Sequence, residues 1–133
     1  MNEKTLVILK PNAITNNHVG EIISRFERRN IKISKMKMTT LSEDIIKIHY
    51  SHLLSKSFFN ELCTYMTSNP VIILELSGEN VIAIVRQMIG ATDPLKASPG
   101  TIRADFATTS GENIIHASDS NSAASKEISL FFD

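Results

Sequence analysis

The feature that most limits how this chain can fold is a pair of short apolar runs, TLVILK at residues 5–10 and VIILEL at residues 71–76. Both are rich in β-branched residues and apolar almost throughout, which suits strands covered on both faces rather than alternating edge strands. Pro11 ends the first run, while Pro70 introduces the second and Ser77-Gly78 closes it. Such strands need helices above and below them, and the segments between supply the pattern. Val19, Ile22, Ile23 and Phe26 fall at i, i+3, i+4 and i+7 in HVGEIISRFERRN, with Arg28 and Arg29 near the carbonyls that close the helix.

Ile31 and Ile33 alternate with Lys32 and Ser34, as in a half-buried strand. Ser42 followed by Glu43 and Asp44 reads as a helix cap with an acidic first turn, and residues 42–67 give two short helices, IIKIHY and FFNELCTYM. The helical period returns at Val81, Ile84, Val85 and Met88, and Gly90 stops it. PNAITNN after the first strand has the composition of a turn. Residues 91–112 are polar, carry Pro and Gly, and show little periodicity, the mark of a disordered stretch or a functional loop. NIIHA (113–117) reads as a last strand, and residues 118–132 as a last helix with Ala124, Ile128 and Phe131 on one side. Strand, helix, strand, helix pair, strand, helix, loop, strand, helix is the order of an α/β (α+β) ferredoxin-like split βαβ sandwich. Its four-stranded antiparallel sheet is covered by helices.

With 133 residues, the whole chain, 1–133, fits a single domain. Lys plus Arg number 14 and Asp plus Glu number 14, so no basic field exists to attract nucleic acid, and any anion site must be local. The only cysteine, Cys63, excludes a disulfide framework and reads as a buried thiol in a reducing compartment. The N-terminus lacks a signal core, and no stretch approaches the roughly 20 apolar residues of a membrane span. The expectation is a soluble, cytoplasmic protein without a membrane partner.

No phosphate-binding P-loop, dinucleotide fingerprint or zinc-type Cys/His arrangement is present; the four histidines lack ligand spacing along the chain. Polar residues gather instead at strand ends and in the loop: Lys10, Arg86, Thr92, Arg103, Asn113 and His116. Taken singly, each has a bland explanation as a solvated or snorkelling surface group. Together, two guanidiniums, an ammonium and a hydroxyl are able to converge on a polyphosphate with an imidazole beside it.

Those residues lie in blocks that resemble the nucleoside diphosphate kinase family. NIIHASDS is similar to its active-site signature, and TLVILKP, HYSHLLSKSFF, GATDP with SPGTIRADF, and SAASKEISLFF follow in matching order from Thr5 to Phe132. The resemblance implies a reversible ping-pong enzyme that moves the γ-phosphate of a nucleoside triphosphate to His116 and then to a nucleoside diphosphate. A histidine suits that role because its neutral ring nitrogen attacks near neutral pH and its phosphoramidate keeps a high transfer potential. By the same comparison Lys10, Arg86, Thr92 and Arg103 hold phosphates, Lys10 and Asn113 lie near the sugar 3′-hydroxyl, and Tyr50 sits close to the transferred group. Glu127 would hold the catalytic ring and Ser118 would support Glu127. Phe58 would stack on the base with Leu62 beside it, which predicts broad tolerance of bases.

Mg2+ is the implied cofactor, carried by the nucleotide phosphates and water with no direct protein ligand; Asp119 would reach it only through water. Residues 91–112, with Pro94, match a loop that also makes subunit contacts, so a homo-oligomer is expected, hexamer or tetramer being left open where the chain ends at Asp133. Ala104 and Ala117 stand where glycine is common, and Ser110 at a position often apolar. Some members have a histidine where Leu53 stands, so no phosphate role passes to His52. The alternative is a catalytically silent ferredoxin-like module that binds nucleotide or nucleic acid.

Overall fold

The computed structural model describes residues 2–132. The elements are β1 (Asn2–Leu9), α1 (Pro11–Thr15), α2 (Val19–Arg28), β2 (Lys32–Thr39), α3 (Glu43–His49), α4 (Phe59–Thr67), β3 (Val71–Glu79), α5 (Val81–Ile89), α6 (Ile102–Phe106), β4 (Ile115–Ala117) and α7 (Asn121–Phe132), with a 3-10 turn at Ser51–Leu53. The four strands form one antiparallel sheet in the order β2-β3-β1-β4, with helices on it as expected.

The two apolar runs become the two central strands, paired so that Val7 faces Leu74 and Ile8 faces Ile73. Because side chains alternate along a strand, each run feeds two cores at once. Val7, Leu9, Leu74 and Leu76 pack with Ile22 and Phe26 of α2 and Val81, Val85 and Ile89 of α5. Leu6, Ile8, Val71 and Ile73 pack on the other face with Ile46 of α3, Phe59 and Met66 of α4, and Phe131 of α7. Each such residue, fully buried, contributes roughly 1.5–3 kcal/mol, which explains why these runs carry almost no polar residue.

Four local features differ from expectation. PNAITNN is not a plain turn: Pro11 ends β1 and also opens α1 at its first position, where its fixed φ is already helical and no N–H is needed. Residues 91–112 contain α6, capped by Thr101, whose hydroxyl accepts from the Ala104 N–H at 3.3 Å. The buried stripe of α5 is Val81, Ile82, Val85 and Ile89, while Ile84 and Met88 lie at its margin. β2 is half-buried only at Ile33 and Thr39; it lies at the sheet edge, and Met36 and Met38 are each 58% exposed. A register shift between Ile33 and Lys35 breaks the alternation that the sequence suggested.

Candidate active site

β4 is three residues long, and its place beside β1 decides what it presents. Ile115 and Ala117 point into the core beneath α2 and α5, so the residue between them, His116, faces the opposite side, where α3 and α7 pack. The approach to β4 is strained. Ile114 has φ 72°, a left-handed conformation that β-branched residues rarely adopt, and the Ile115 N–H donates to the Asn113 carbonyl at 2.9 Å to close a three-residue γ-turn. Such strain costs of order 1–3 kcal/mol. The fully buried Ile114 side chain offsets it by a similar amount. Both ends are then tied to β1: Lys10 N donates to the Ile114 carbonyl at 2.9 Å, and Ser118 N to the Leu6 carbonyl at 3.0 Å.

Behind the His116 ring lies a hydrogen-bonded carboxylate. His116 Nε2 is 3.1 Å from Glu127 Oε1, and the Ser118 hydroxyl donates to the same oxygen at 2.6 Å. Ser118 Oγ in turn accepts from the Leu6 N–H at 3.1 Å. Burial pushes the Glu127 carboxyl up, but the hydrogen bond and charge of His116 and the Ser118 hydroxyl outweigh it and hold the group below the usual carboxylate range. A carboxylate on Nε2 fixes the tautomer with its proton there and leaves Nδ1 with a free lone pair.

Near this group stand the cations. Lys10, the residue after β1, is buried and donates to Asn113 Oδ1 at 2.8 Å, and Asn113 Nδ2 donates to the Thr92 carbonyl at 3.3 Å. Burial, assisted by the Arg103 charge, lowers the Lys10 ammonium to about 7. α6 exists in the loop to carry Arg103 inward: its guanidinium donates to the Gly90 carbonyl at 3.0 Å and the Ile115 carbonyl at 2.7 Å. Burial, then the nearby Arg86, lowers it to about 10. Arg86, exposed on α5, donates to the Ala117 carbonyl at 3.3 Å. Gly90 is needed here: at φ 87° a Cβ would fall 2.5 Å from Thr101 Oγ1 and drive α6 away. Three buried polar atoms in this region lack partners among the described residues, Arg103 Nε, the Tyr50 hydroxyl and Nε2 of His49 at the end of α3. Burial, then the Glu127 charge, pushes the Tyr50 phenol up, so it remains a donor.

Seven of the candidate residues are thus assembled around His116 through β4 and its neighbours: Lys10, Asn113, Arg103, Arg86, Ser118, Glu127 and, through His49, Tyr50. Thr92 joins through its carbonyl, its side chain lying in an exposed segment of the loop. Phe58 and Leu62 stand apart on the first turn of α4; Phe58 is 47% exposed and Leu62 half-buried, an uncovered apolar surface. Asp119 is exposed beyond β4. A surface cavity of about 530 Å³ between α2, α5 and Thr101 holds none of these groups.

One residue of the site escaped the sequence reading. His49 ends α3 with its ring centroid 4.7 Å from that of His116, edge to face, and 4.5 Å from that of Tyr50. Its Nδ1 lies 3.9 Å from Glu127 Oε2. Burial foremost, with the His116 charge, lowers it to about 3, so it is neutral. The signal was available in Ile46 and His49, three residues apart on one buried helical face.

The model of the family described as nucleoside diphosphate kinase matches residues 3–133. A nucleoside diphosphate kinase of Saccharolobus islandicus is 49% identical over 131 residues, covering 98% of this chain and 95% of that protein. One of Methanosphaera stadtmanae is 47% identical across all of this chain and 88% of its own. Among solved structures, the apo nucleoside diphosphate kinase of Encephalitozoon cuniculi superposes with a TM-score of 0.95 at 38% identity, covering 98% of this chain and 88% of that one. The Halobacterium salinarum enzyme in complex with CDP superposes with a TM-score of 0.97 at 37% identity, covering 100% and 89%.

Proposed function

We propose, for a chain that belongs to the nucleoside diphosphate kinase family and is an enzyme of that kind, that phosphate passes between nucleotides through His116. The comparisons favour this reading over a silent binding module. The observation that carries it is the pairing of His116 Nε2 with Glu127 beside buried cationic donors.

In the first half-reaction Nδ1 attacks the γ-phosphorus of a nucleoside triphosphate, the P–O bond to the β-phosphate breaks, and the diphosphate leaves. In the second, a terminal oxygen of another diphosphate attacks that phosphorus, the P–N bond breaks, and the electron pair returns to Nδ1. Glu127 steadies the charge that develops on the ring. Lys10, Arg86, Thr92 and Arg103 supply charge and donors to the phosphates, the main service a protein offers a loose phosphoryl transition state. Asn113 and Lys10 meet the sugar hydroxyl, and the Tyr50 hydroxyl lies close to the transferred group. Phe58 and Leu62 receive the base by stacking, without reading its edge.

A divalent cation belongs to kinase chemistry of this family. We assign Mg2+, entering on the nucleotide phosphates, which it would neutralise. A hard cation demands oxygens, whereas the close group of metal-ligand side chains among the described residues includes two imidazoles. The whole chain, 1–133, acts as one domain and assembles as a homo-oligomer, hexamer or tetramer, for which the exposed methionines on the β2 edge offer a surface. No helix among the described residues is long and apolar enough to cross a membrane. The unpaired Cys63 accords with the cytoplasm.

Incubation with γ-labelled ATP followed by a nucleoside diphosphate tests the reaction: label should enter the protein and leave on the second nucleotide, with His116→Ala taking none. Label retained by that variant would refute the assignment. Native mass measurement of a stable monomer at micromolar concentration would contradict the oligomer.

A further inference from the structure

We propose that His49, His116 and Glu127 form a three-donor site for a borderline-soft transition metal, Zn2+ foremost, and that its occupancy blocks phosphate transfer. The inhibitory half of the proposal rests on His116 being the nucleophile; the site itself does not.

Along the sequence these residues have no ligand spacing, but α3, β4 and α7 bring one donor atom from each within 4.8 Å of the others. Three donors on a tetrahedral zinc, each about 2.0–2.2 Å from it, stand about 3.3 Å apart. His116 Nε2 and Glu127 Oε1 are already 3.1 Å apart, and His49 Nδ1 is 3.9 Å from Glu127 Oε2. Since the donors lie at most 4.8 Å apart, closing the site requires the side chains to draw in by no more than about 1.5 Å.

The state of His49 supplies a second, independent observation. Its side chain is only 4% exposed, its Nε2 has no hydrogen-bond partner among the described residues, and its Nδ1 is beyond hydrogen-bond range of Glu127. A buried imidazole without hydrogen bonds is costly unless something else satisfies it. A metal ion on Nδ1 satisfies that nitrogen directly and leaves Nε2 as the only ring atom without a partner among the described residues.

Two imidazoles and a carboxylate with an open fourth position match the donor set of open zinc sites. The preference order of nitrogen donors favours zinc, cobalt and copper over magnesium, so the cation that accompanies nucleotides is a poor competitor. Lys10 bears on His49 and would oppose a dication there, while Glu127 favours it. Affinity should fall short of that of structural zinc sites for that reason. Bound there, the ion would take Glu127 from Nε2 and draw electron density from the ring that must attack through Nδ1.

Titration of the metal-stripped full chain with Co2+, followed by visible absorption, tests the site without turnover. Expected is one ion per chain with a four-coordinate spectrum, displaced by Zn2+. The affinity should drop by at least the roughly tenfold cost of disturbing a metal's outer shell in His49→Gln and in Glu127→Gln, and remain unchanged in His52→Gln. No saturable binding, or binding that survives both substitutions in folded protein, overturns the site. Zn2+ should also suppress labelling from γ-labelled ATP and EDTA restore it; labelling that proceeds at saturating Zn2+ overturns the inhibition. Labelling absent with Mg2+ and ATP before Zn2+ is added would instead count against His116 as nucleophile, leaving the cobalt result to decide the site.

Discussion

The two polar groups near His116 are built by opposite rules. In one, Glu127 and Ser118 form a relay in which Ser118 bridges Glu127 to the backbone of β1. In the other, Lys10 and Arg103 are cations buried at a cost, and Arg103 Nε and the Tyr50 hydroxyl have no partner among the described residues. A satisfied network fixes one geometry; an unsatisfied one waits for a ligand. The Glu127–Ser118 pair is therefore set without a ligand, whereas the Lys10–Arg103 group keeps donors that an anion would satisfy.

The sharpest break in that contrast is Lys10→Met, which should lower the transfer rate roughly 10²–10³-fold, the usual loss for one donor to a developing charge. Stopped-flow turnover with ATP and a diphosphate would read it. Glu127→Gln should cost less, about 10- to 100-fold, because it loosens the ring without removing a phosphate contact. A rate loss in the Glu127 variant larger than in the Lys10 variant would invert the comparison. Phe58→Ala should weaken nucleotide binding by about 1 kcal/mol, the low end for base stacking, equally for purines and pyrimidines, as measured by KM across nucleotides.

The last effect is a slope. Lys10 titrates at about 7 when folded against 10.5 when free. The unfolded chain thus holds more protons between those values, and this group makes stability rise with pH across that window. Anion binding runs the other way, since Lys10 carries its charge only below about pH 7 in the empty protein. His49, at about 3 against 6.5, gives a second rising limb between those values. Urea titrations across pH should lose the acid limb in His49→Gln and the alkaline one in Lys10→Met.

Much of this was legible in the chain itself. β1, β3 and α2 show in long apolar patterns that only one packing satisfies, and NIIHASDS with its companion blocks placed the candidate residues. What stayed hidden is local or tertiary. α1 was masked because Pro11 both stops a strand and starts a helix. TIRADF is too short for a helical period, so α6 emerges only from the Thr101 cap and the demand that Arg103 reach the Ile115 carbonyl. The exposure of β2 follows from its place at the sheet edge, which no alternation reveals. His49 was invisible as chemistry because its partners come from β4 and α7, more than sixty residues further along.

The tethering of β4 at both ends has a consequence for how the protein breathes. A three-residue strand at a sheet edge would ordinarily exchange its amide hydrogens freely, but here opening it requires releasing the Lys10–Ile114 and Ser118–Leu6 backbone bonds of the central strand as well. Deuterium should therefore enter the His116 segment no faster than it enters β1, so the least regular strand of the sheet shares the lifetime of its core.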